Sequence, residues 1–307
     1  PVITPSSNVG ARICAGASGG NSARLGTSRF RPDSSRAIVR PGTNGPTSYA
    51  IPRRVNMPEA EEEGLVTVIM AAGKGTRMKS DMAKVLHTLH GKPMVCYAIE
   101  AAQRIGSDRT IVIVGHQAPS VKSALAEYAV EFAEQREQMG TGHAVMQAEP
   151  LLRDFDGTLL VLAGDTPLIK AETLQTLCTL HRNKKAAATI LTATISNPYG
   201  LGRIIRDEEG QVRRIVEEKD ASEEEKKIRE VNSSIYCFDA KRLFDALSRI
   251  RPDNKQGELY LTDTISILRE SGGWIAGAMA DDPDDTTGIN TVEHLEAAAR
   301  ILDSRNA

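Results

Sequence analysis

Four short apolar runs between Leu65 and Ala163, separated by stretches with helical spacing, constrain this chain more than any other feature. Leu65–Ala71 reads LVTVIMA, β-branched and apolar on both faces, and glycines close it. A strand with no polar face is buried on both sides, as in a parallel sheet. Residues 110–114 (TIVIV), 130–133 and 158–163 (TLLVLA) read the same way. Residues 93–105, ending at Gly106, a stretch continuing through 121–125, and 141–151 carry helical periodicity. The alternation predicts a mostly parallel α/β sheet with right-handed crossovers. Further on, strand-like runs come in quick succession at 186–195, 202–206, 212–217 and 231–238, with only 222–229 between them reading as helical. That pattern predicts a mixed-sheet insertion covering one side of a cleft. Two helices, a strand at 274–279 and a closing helix from about Thr291 complete the order, with no internal repeat.

Charge divides the chain. Up to Asn56 there are eight arginines, no lysine and a single acid, Asp33, a formal +7, so the rest of this −2 chain carries −9. This leader is rich in Ser, Gly and Pro, and it lacks the apolar surface that offsets the entropy of ordering. The expected organisation is a disordered basic leader over 1–62 and one domain over 63–307. The leader reads as non-native sequence ahead of Met57, as an Arg- and Ser-rich transit peptide, or as a nucleic-acid-binding tail. The balanced overall charge argues against nucleic acid as the main partner. No apolar run reaches the roughly 18 residues of a membrane span. The four cysteines have no CxxC spacing, which argues for reduced thiols in a cytoplasmic protein.

Directly after the first strand comes Ala71-Ala72-Gly73-Lys74-Gly75-Thr76-Arg77-Met78. Small residues let backbone N–H groups approach phosphate oxygens, and Lys74 and Arg77 add charge. It is not a P-loop, because Gly75 follows the lysine. It is not the dinucleotide fingerprint, because Met78 stands where the third glycine belongs. On residues alone it is either a phosphate loop or a flexible strand-to-helix turn. Lys84, in Lys84-Val85-Leu86, is either a solvated lysine or a phosphate ligand. Asp165, in Ala163-Gly164-Asp165-Thr166-Pro167, ends a buried strand where α/β sheets place ligand chemistry, and it also suits a turn or helix cap. Asn290, in Thr287-Gly288-Ile289-Asn290-Thr291, has the position of an N-cap.

Taken together, the Ala71–Met78 loop and Lys84-Val85-Leu86 resemble the signature of sugar-nucleotide pyrophosphorylases. From about Leu65 to about Arg300 the chain resembles the uridyltransferase domain of the bacterial bifunctional N-acetylglucosamine-1-phosphate uridyltransferase / glucosamine-1-phosphate acetyltransferase family. The resemblance implies a Rossmann-like nucleotidyltransferase (nucleotide-diphospho-sugar transferase) fold, a mixed, mostly parallel sheet flanked by helices with a β-rich sugar-binding insertion. It implies nucleotide binding by Ala71, Ala72, Gly73, Lys84, Gln135, Gly140 and Thr141. A side-chain amide with backbone groups complements a uracil edge. It implies catalytic roles for Arg77 and Lys84, sugar-phosphate binding by Gly202, Glu217 and Asn232, and Mg²⁺ held by Asp165 and Asn290. Mg²⁺ takes few protein oxygens and completes its shell with water and phosphate. His143 reads as a packing or hydrogen-bonding residue rather than a base.

The implied reaction joins UTP and N-acetylglucosamine 1-phosphate to give UDP-N-acetylglucosamine and diphosphate. The implied partners are these small molecules, with no nucleic acid and no membrane. The family continues into a β-helix of hexapeptide repeats that this chain lacks, so acetyl transfer is not expected, and a monomer or weak oligomer is. Three departures stand out. Ala83 replaces a frequent Pro before the Lys, which predicts a looser loop. Leu201 replaces a frequent Tyr. Ser233-Ser234 replaces a frequent Thr-Gly, which places a Cβ at the sugar pocket.

Overall fold

The first strand, β1 (Leu65–Ala71), is the centre on which the rest is laid. The structure, a computed structural model, describes residues 63–306. The three readings of the leader and of Met57 therefore lie outside the described residues. In chain order the elements are β1, α1 (Met94–Arg104), β2 (Arg109–Val114), α2 (Ala118–Ala124), β3 (Glu131–Glu134), α3 (Thr141–Met146) and β4 (Thr158–Ala163). Then come α4 (Ala171–Lys184), β5 (Ala188–Thr194), β6 (Arg203–Arg206), β7 (Val212–Val216) and β8 (Glu230–Asp239). The chain closes with α5 (Ala240–Arg249), α6 (Asp263–Glu270), β9 (Ile275–Met279) and α7 (Val292–Asn306).

Among the described residues these nine strands form one sheet in the order β9-β5-β8-β4-β1-β2-β3, with β6 beside β8 and β7 beside β6. β1 pairs in parallel with β2 on one side and β4 on the other, and β8 runs antiparallel between β4 and β5. Succession from β1 to β3 moves one way across the sheet, and β4 then starts on the opposite side of β1. That reversal opens a crevice at the carboxyl ends of β1 and β4, where such sheets bind ligands.

Alternate residues of each central strand feed two separate cores. Val66, Val68, Ile111, Ile113, Leu159 and Val161 pack toward α3, α5 and α6. Leu65, Ile69, Val112, Val114, Leu160 and Leu162 pack toward α1, α2 and α4. A third, smaller cluster of Leu89, Met94, Leu168, Ile289 and Ala298 seats α7. Both faces are covered, which explains why the strands read as continuous apolar runs. No described helix is long and apolar enough to cross a membrane.

Two helical expectations need correction. Residues 222–229 form only a single 3₁₀ turn, Glu225–Lys227. Ser222 and Glu225 do make the reciprocal capping bonds that start a helix, at 2.9 and 3.2 Å. The run is nearly all charged, and with no apolar stripe to bury, so short a helix is not sustained. The helix expected over 141–151 ends at Met146 and is followed by a separate 3₁₀ turn at Glu149–Leu151. Pro150 has no N–H to donate to the Met146 carbonyl, and its ring crowds that carbonyl, so the α-helix does not run through it.

Candidate active site

The loop leaving β1 turns sharply because Gly75 is left-handed, at φ 62°. A Cβ there would come within 2.5 Å of the Lys84 Cβ. Glycine is thus what lets the loop and the lysine share this space. The Lys84 ammonium reaches across to the Asp165 carboxylate at the end of β4, and it lies 2.6 Å from Asn290 Oδ1. Arg77 donates to the same Asn290 oxygen at 2.7 Å. The Lys84 and Asp165 side chains are only 14% and 20% exposed, so solvent screens this contact weakly. Ile289 N–H donates to the Asp165 backbone carbonyl at 2.8 Å, tying the two acid- and amide-bearing loops together.

Neither capping alternative holds. α4 starts after Lys170, which makes no side-chain cap bond, and the Asp165 carboxylate faces Lys84 instead. Thr291, not Asn290, accepts from the first turn of α7, from His294 N at 3.3 Å. Asn290 is left to turn its oxygen toward Lys84 and Arg77.

Asp165 Oδ2 and Asn290 Oδ1 converge on one cation, the Lys84 ammonium. A carboxylate and a carboxamide oxygen that already share a positive charge suit a hard divalent ion. Among the described residues no group of three or more His, Cys, Asp or Glu could hold a metal. A divalent ion held here would take these two protein oxygens and complete its shell with water and phosphate, as Mg²⁺ commonly does.

An open cleft of about 350 Å³ extends from this junction. Ala72, Gly73, Lys84, Gln135, Gly140, Thr141 and Asp165 all line it. Ala71 is the buried last residue of β1 beneath it. Gly140 has φ 110°, and a Cβ there would meet Leu259 O at 2.5 Å. The backbone of 139–142 clasps that of 259–261 through Leu259 N–H to Met139 O and Gly142 N–H to Leu259 O. Thr141 Oγ1 adds to the clasp by accepting from Leu261 N at 3.0 Å. Gln135 is buried, and its amide N–H₂ is held by Gly140 O at 3.0 Å and by His143 Nδ1 at 3.2 Å. His143 is thereby a hydrogen-bonding residue set between Gln135 and Gln147.

Gly202, Glu217 and Asn232 also come together, but none of them lines this cleft. A Cβ on Gly202 would lie 3.4 Å from Glu217 Oε1 and 3.5 Å from Asn232 Cβ. Asn232 spends its polar atoms internally, donating to the Tyr236 hydroxyl at 2.6 Å and accepting from Ser234 N at 3.1 Å. Glu217 borders a second hollow of about 250 Å³ with Asp220, Tyr260, Thr262 and Asp263. Burial first, then the nearby charges of Asp263, Asp220 and Glu258, pushes its carboxyl up, against a hydrogen bond from Thr262 at 3.1 Å. The link between the two groups is Ser234. β8 shifts register between Asn232 and Tyr236, and this bulge places Ser234 in the left-handed region, at φ 62°, on the cleft wall.

Three contributors escape a reading of the sequence. Gln138 lines the cleft and donates to Ala72 O at 2.8 Å. Glu258 lines its far side. Gln117, itself left-handed at φ 53°, accepts from Ala83 N at 2.9 Å and donates to Asp81 O. Ala83 is fully buried, so the loop expected to be loose is pinned through an N–H that a proline lacks. The one signal for Gln117 is its place straight after the second strand, at the carboxyl edge of the sheet.

Two outcomes follow from this geometry. Ser234→Gly relieves left-handed strain, offset in part by the extra freedom that glycine gives the unfolded chain. It should raise stability by about 1 kcal/mol in urea unfolding. Asp263 is pushed up to about 6 by burial and by Asp220. The folded state thus keeps a proton that the unfolded chain releases near 3.8. That contribution to stability is present at the acid end and lost as pH rises to about 6. Asp263→Asn should therefore flatten the fall in urea midpoint between about pH 4 and pH 6, and an unchanged slope would refute the assignment.

Comparison with known proteins agrees with the geometry. The model of the nucleotidyl transferase family matches residues 66–284. The bifunctional protein GlmU of Geobacillus sp. is 50% identical over 238 residues, covering 78% of this chain and 52% of that protein. The bifunctional protein GlmU of Enterococcus faecalis is 49% identical over 243 residues, covering 79% and 53%. The chain spans about half the length of the curated relatives it matches. Two solved structures share the fold at a TM-score of 0.63 each. One is a UDP-glucose pyrophosphorylase complexed with UDP-glucose, 19% identical and covering 79% of this chain and 99% of that one. The other is a putative glucose-1-phosphate thymidylyltransferase from Bacillus anthracis, 20% identical and covering 78% and 95%. With a glycine loop, a lysine and an acid meeting at the switch point of its sheet, this chain belongs to the nucleotidyl transferase family.

Proposed function

We propose that this chain transfers a uridylyl group from UTP to N-acetylglucosamine 1-phosphate, releasing diphosphate. The observation that carries this reading is the meeting of Lys84, Arg77, Asp165 and Asn290 beside the glycine loop, at the mouth of a nucleotide-sized cleft. A phosphate oxygen of the sugar attacks the α-phosphorus in line. The new O–P bond forms as the bond from the α-phosphorus to the bridging oxygen breaks, and diphosphate leaves with that electron pair. The attacking oxygen is already anionic, so no side chain needs to take a proton. The work left to the protein is to bring two polyanions together and to stabilise the charge that moves.

Lys84 and Arg77 supply fixed positive charge where the phosphates gather. Asp165 and Asn290 would hold Mg²⁺, which when bound neutralises phosphate oxygens and orients them. Gln135, with its N–H₂ engaged by Gly140 and His143, keeps its amide oxygen as acceptor for a uracil N–H. Gly140 and Thr141 border the same end of the cleft. Gly202, Glu217 and Asn232 serve the sugar phosphate through the wall that Ser234 continues. The partners are then these two small molecules, met in the cytoplasm.

Ser234 supports a second reading in which a different sugar 1-phosphate, or dTTP, is used, because its Cβ narrows the wall next to the sugar residues. Diphosphate release separates the two. It would be followed with UTP or dTTP and N-acetylglucosamine, glucosamine or glucose 1-phosphate, in Mg²⁺. Turnover should prefer UTP and the acetylated sugar. It should fall on the order of 100-fold or more in Asp165→Ala and in Lys84→Met. Preference for another sugar would move the assignment to the second reading. A folded protein that binds UDP-sugar without any turnover would overturn both and leave a sugar-nucleotide sensor.

A further inference from the structure

Asn290 belongs to the segment between β9 and α7, and what fixes that segment lies outside the cleft. Asp285 sits in its short helical turn, Pro283–Thr286, with only 1% of its surface exposed. Its carboxylate nevertheless gathers donors from three places. Thr173 of α4 donates its hydroxyl to Oδ2. Arg305, near the end of α7, donates to Oδ1 at 2.7 Å. Lys170, just ahead of α4, lies 3.2 Å from the same oxygen.

The knot reaches both halves of the cation site. Arg305 also donates to Leu168 O at 2.7 Å, and Leu168 follows Asp165 by three residues. Asp285 precedes Asn290 by five residues, and between them Ile289 is fully buried and bonded to the Asp165 backbone. A buried ion pair rarely adds stability over apolar groups of the same volume. What it adds here is direction. An apolar side chain would fill the space, but it would not set the turn against α4 and α7 together.

We infer that Asp285 is a positioning residue whose buried carboxylate holds the 281–290 segment so that the Asn290 amide oxygen meets the Asp165 carboxylate. The inference rests on the reading of Asp165 and Asn290 as the pair that holds the divalent ion. Groups that orient metal ligands in this way commonly change metal affinity without touching the ion.

The test is calorimetric binding of UTP to the full chain, once with Mn²⁺ and once with EDTA. Wild-type protein should bind UTP more tightly with Mn²⁺. Asp285→Asn should lose on the order of tenfold of the Mn²⁺-dependent affinity, with binding in EDTA unchanged. Asp282→Asn is the matched control. It removes a charge from the same Lys170 and Arg305, but its side chain is 36% exposed and does not meet Thr173. Its affinity should stay near wild type. Leu247→Ala, a buried change in α5, should lower the melting temperature and leave the Mn²⁺ effect intact.

If Asp285→Asn keeps the full Mn²⁺ effect, or if Asp282→Asn or Leu247→Ala loses as much, the positioning role is wrong. If the wild-type protein gains nothing from Mn²⁺, the metal reading itself falls and takes the inference with it. Should Asp285→Asn fail to fold, Thr173→Val, which removes one donor from the same carboxylate, carries the same expectations.

Discussion

One ammonium group joins three distant stretches of chain. Lys84 comes from the loop after β1, Asp165 from the end of β4, and Asn290 from the segment before α7. Charge-assisted hydrogen bonds are the stronger kind, and a contact shielded from water keeps that strength. Everything near the cleft is arranged around this point. Gly75 makes space for the lysine stem, Gln117 pins the backbone one residue earlier, and Ile289 fastens its own segment to the Asp165 backbone. The proposed reaction brings two polyanions together, and a lysine paired with an acid and an amide would hold positive charge ready for them without paying for an unpaired buried charge.

The sheet explains why the junction sits where it does. Strands that run in parallel end together, and reversal of strand order on either side of β1 leaves their ends uncovered. β8 then adds a second element. It lies antiparallel between β4 and β5, and its bulge bends the strand where it passes the cleft. The bulge is also where β8 changes role, since on its N-terminal side it pairs with β6 of the insertion. One strand thus carries both the wall of the cleft, at Ser234, and the neighbourhood of Gly202 and Glu217, at Asn232.

Much of the scaffold was legible in the sequence because burial on both faces leaves a simple trace. LVTVIMA, TIVIV and TLLVLA carry large apolar residues at every phase, and each proved a central strand. The run at 222–229 misled because charge spacing resembles a helix face while supplying nothing to bury. The chemistry was less legible than the scaffold. Asp165 and Asn290 each fitted a cap as well as a ligand, and only the structure shows that Lys170 and Thr291 stand at those helix starts. Gln117 left only its place after the second strand, and Gln138 and Asp285 left no local trace. Their partners lie 34, 66 and 112 residues away, and only the folded topology brings them within reach.

Ala83 shows how a departure from a pattern can keep its purpose. Proline at this position would stiffen the approach to Lys84 by fixing φ and by removing an N–H that otherwise needs a partner when buried. Alanine restores that N–H at a fully buried position, with φ at −54°, close to the value a proline ring imposes. Gln117 meets the restored donor with its side-chain oxygen and secures Asp81 with its nitrogen. Restraint by a ring is replaced by restraint through a hydrogen bond, and the constraint moves from one residue to a pair. The left-handed backbone at Gln117 gives this exchange a further cost, because a side chain larger than glycine is strained there. That strain is compensated at the place where the lysine must be held, so the position of the Lys84 ammonium depends on a glutamine that does not line the cleft.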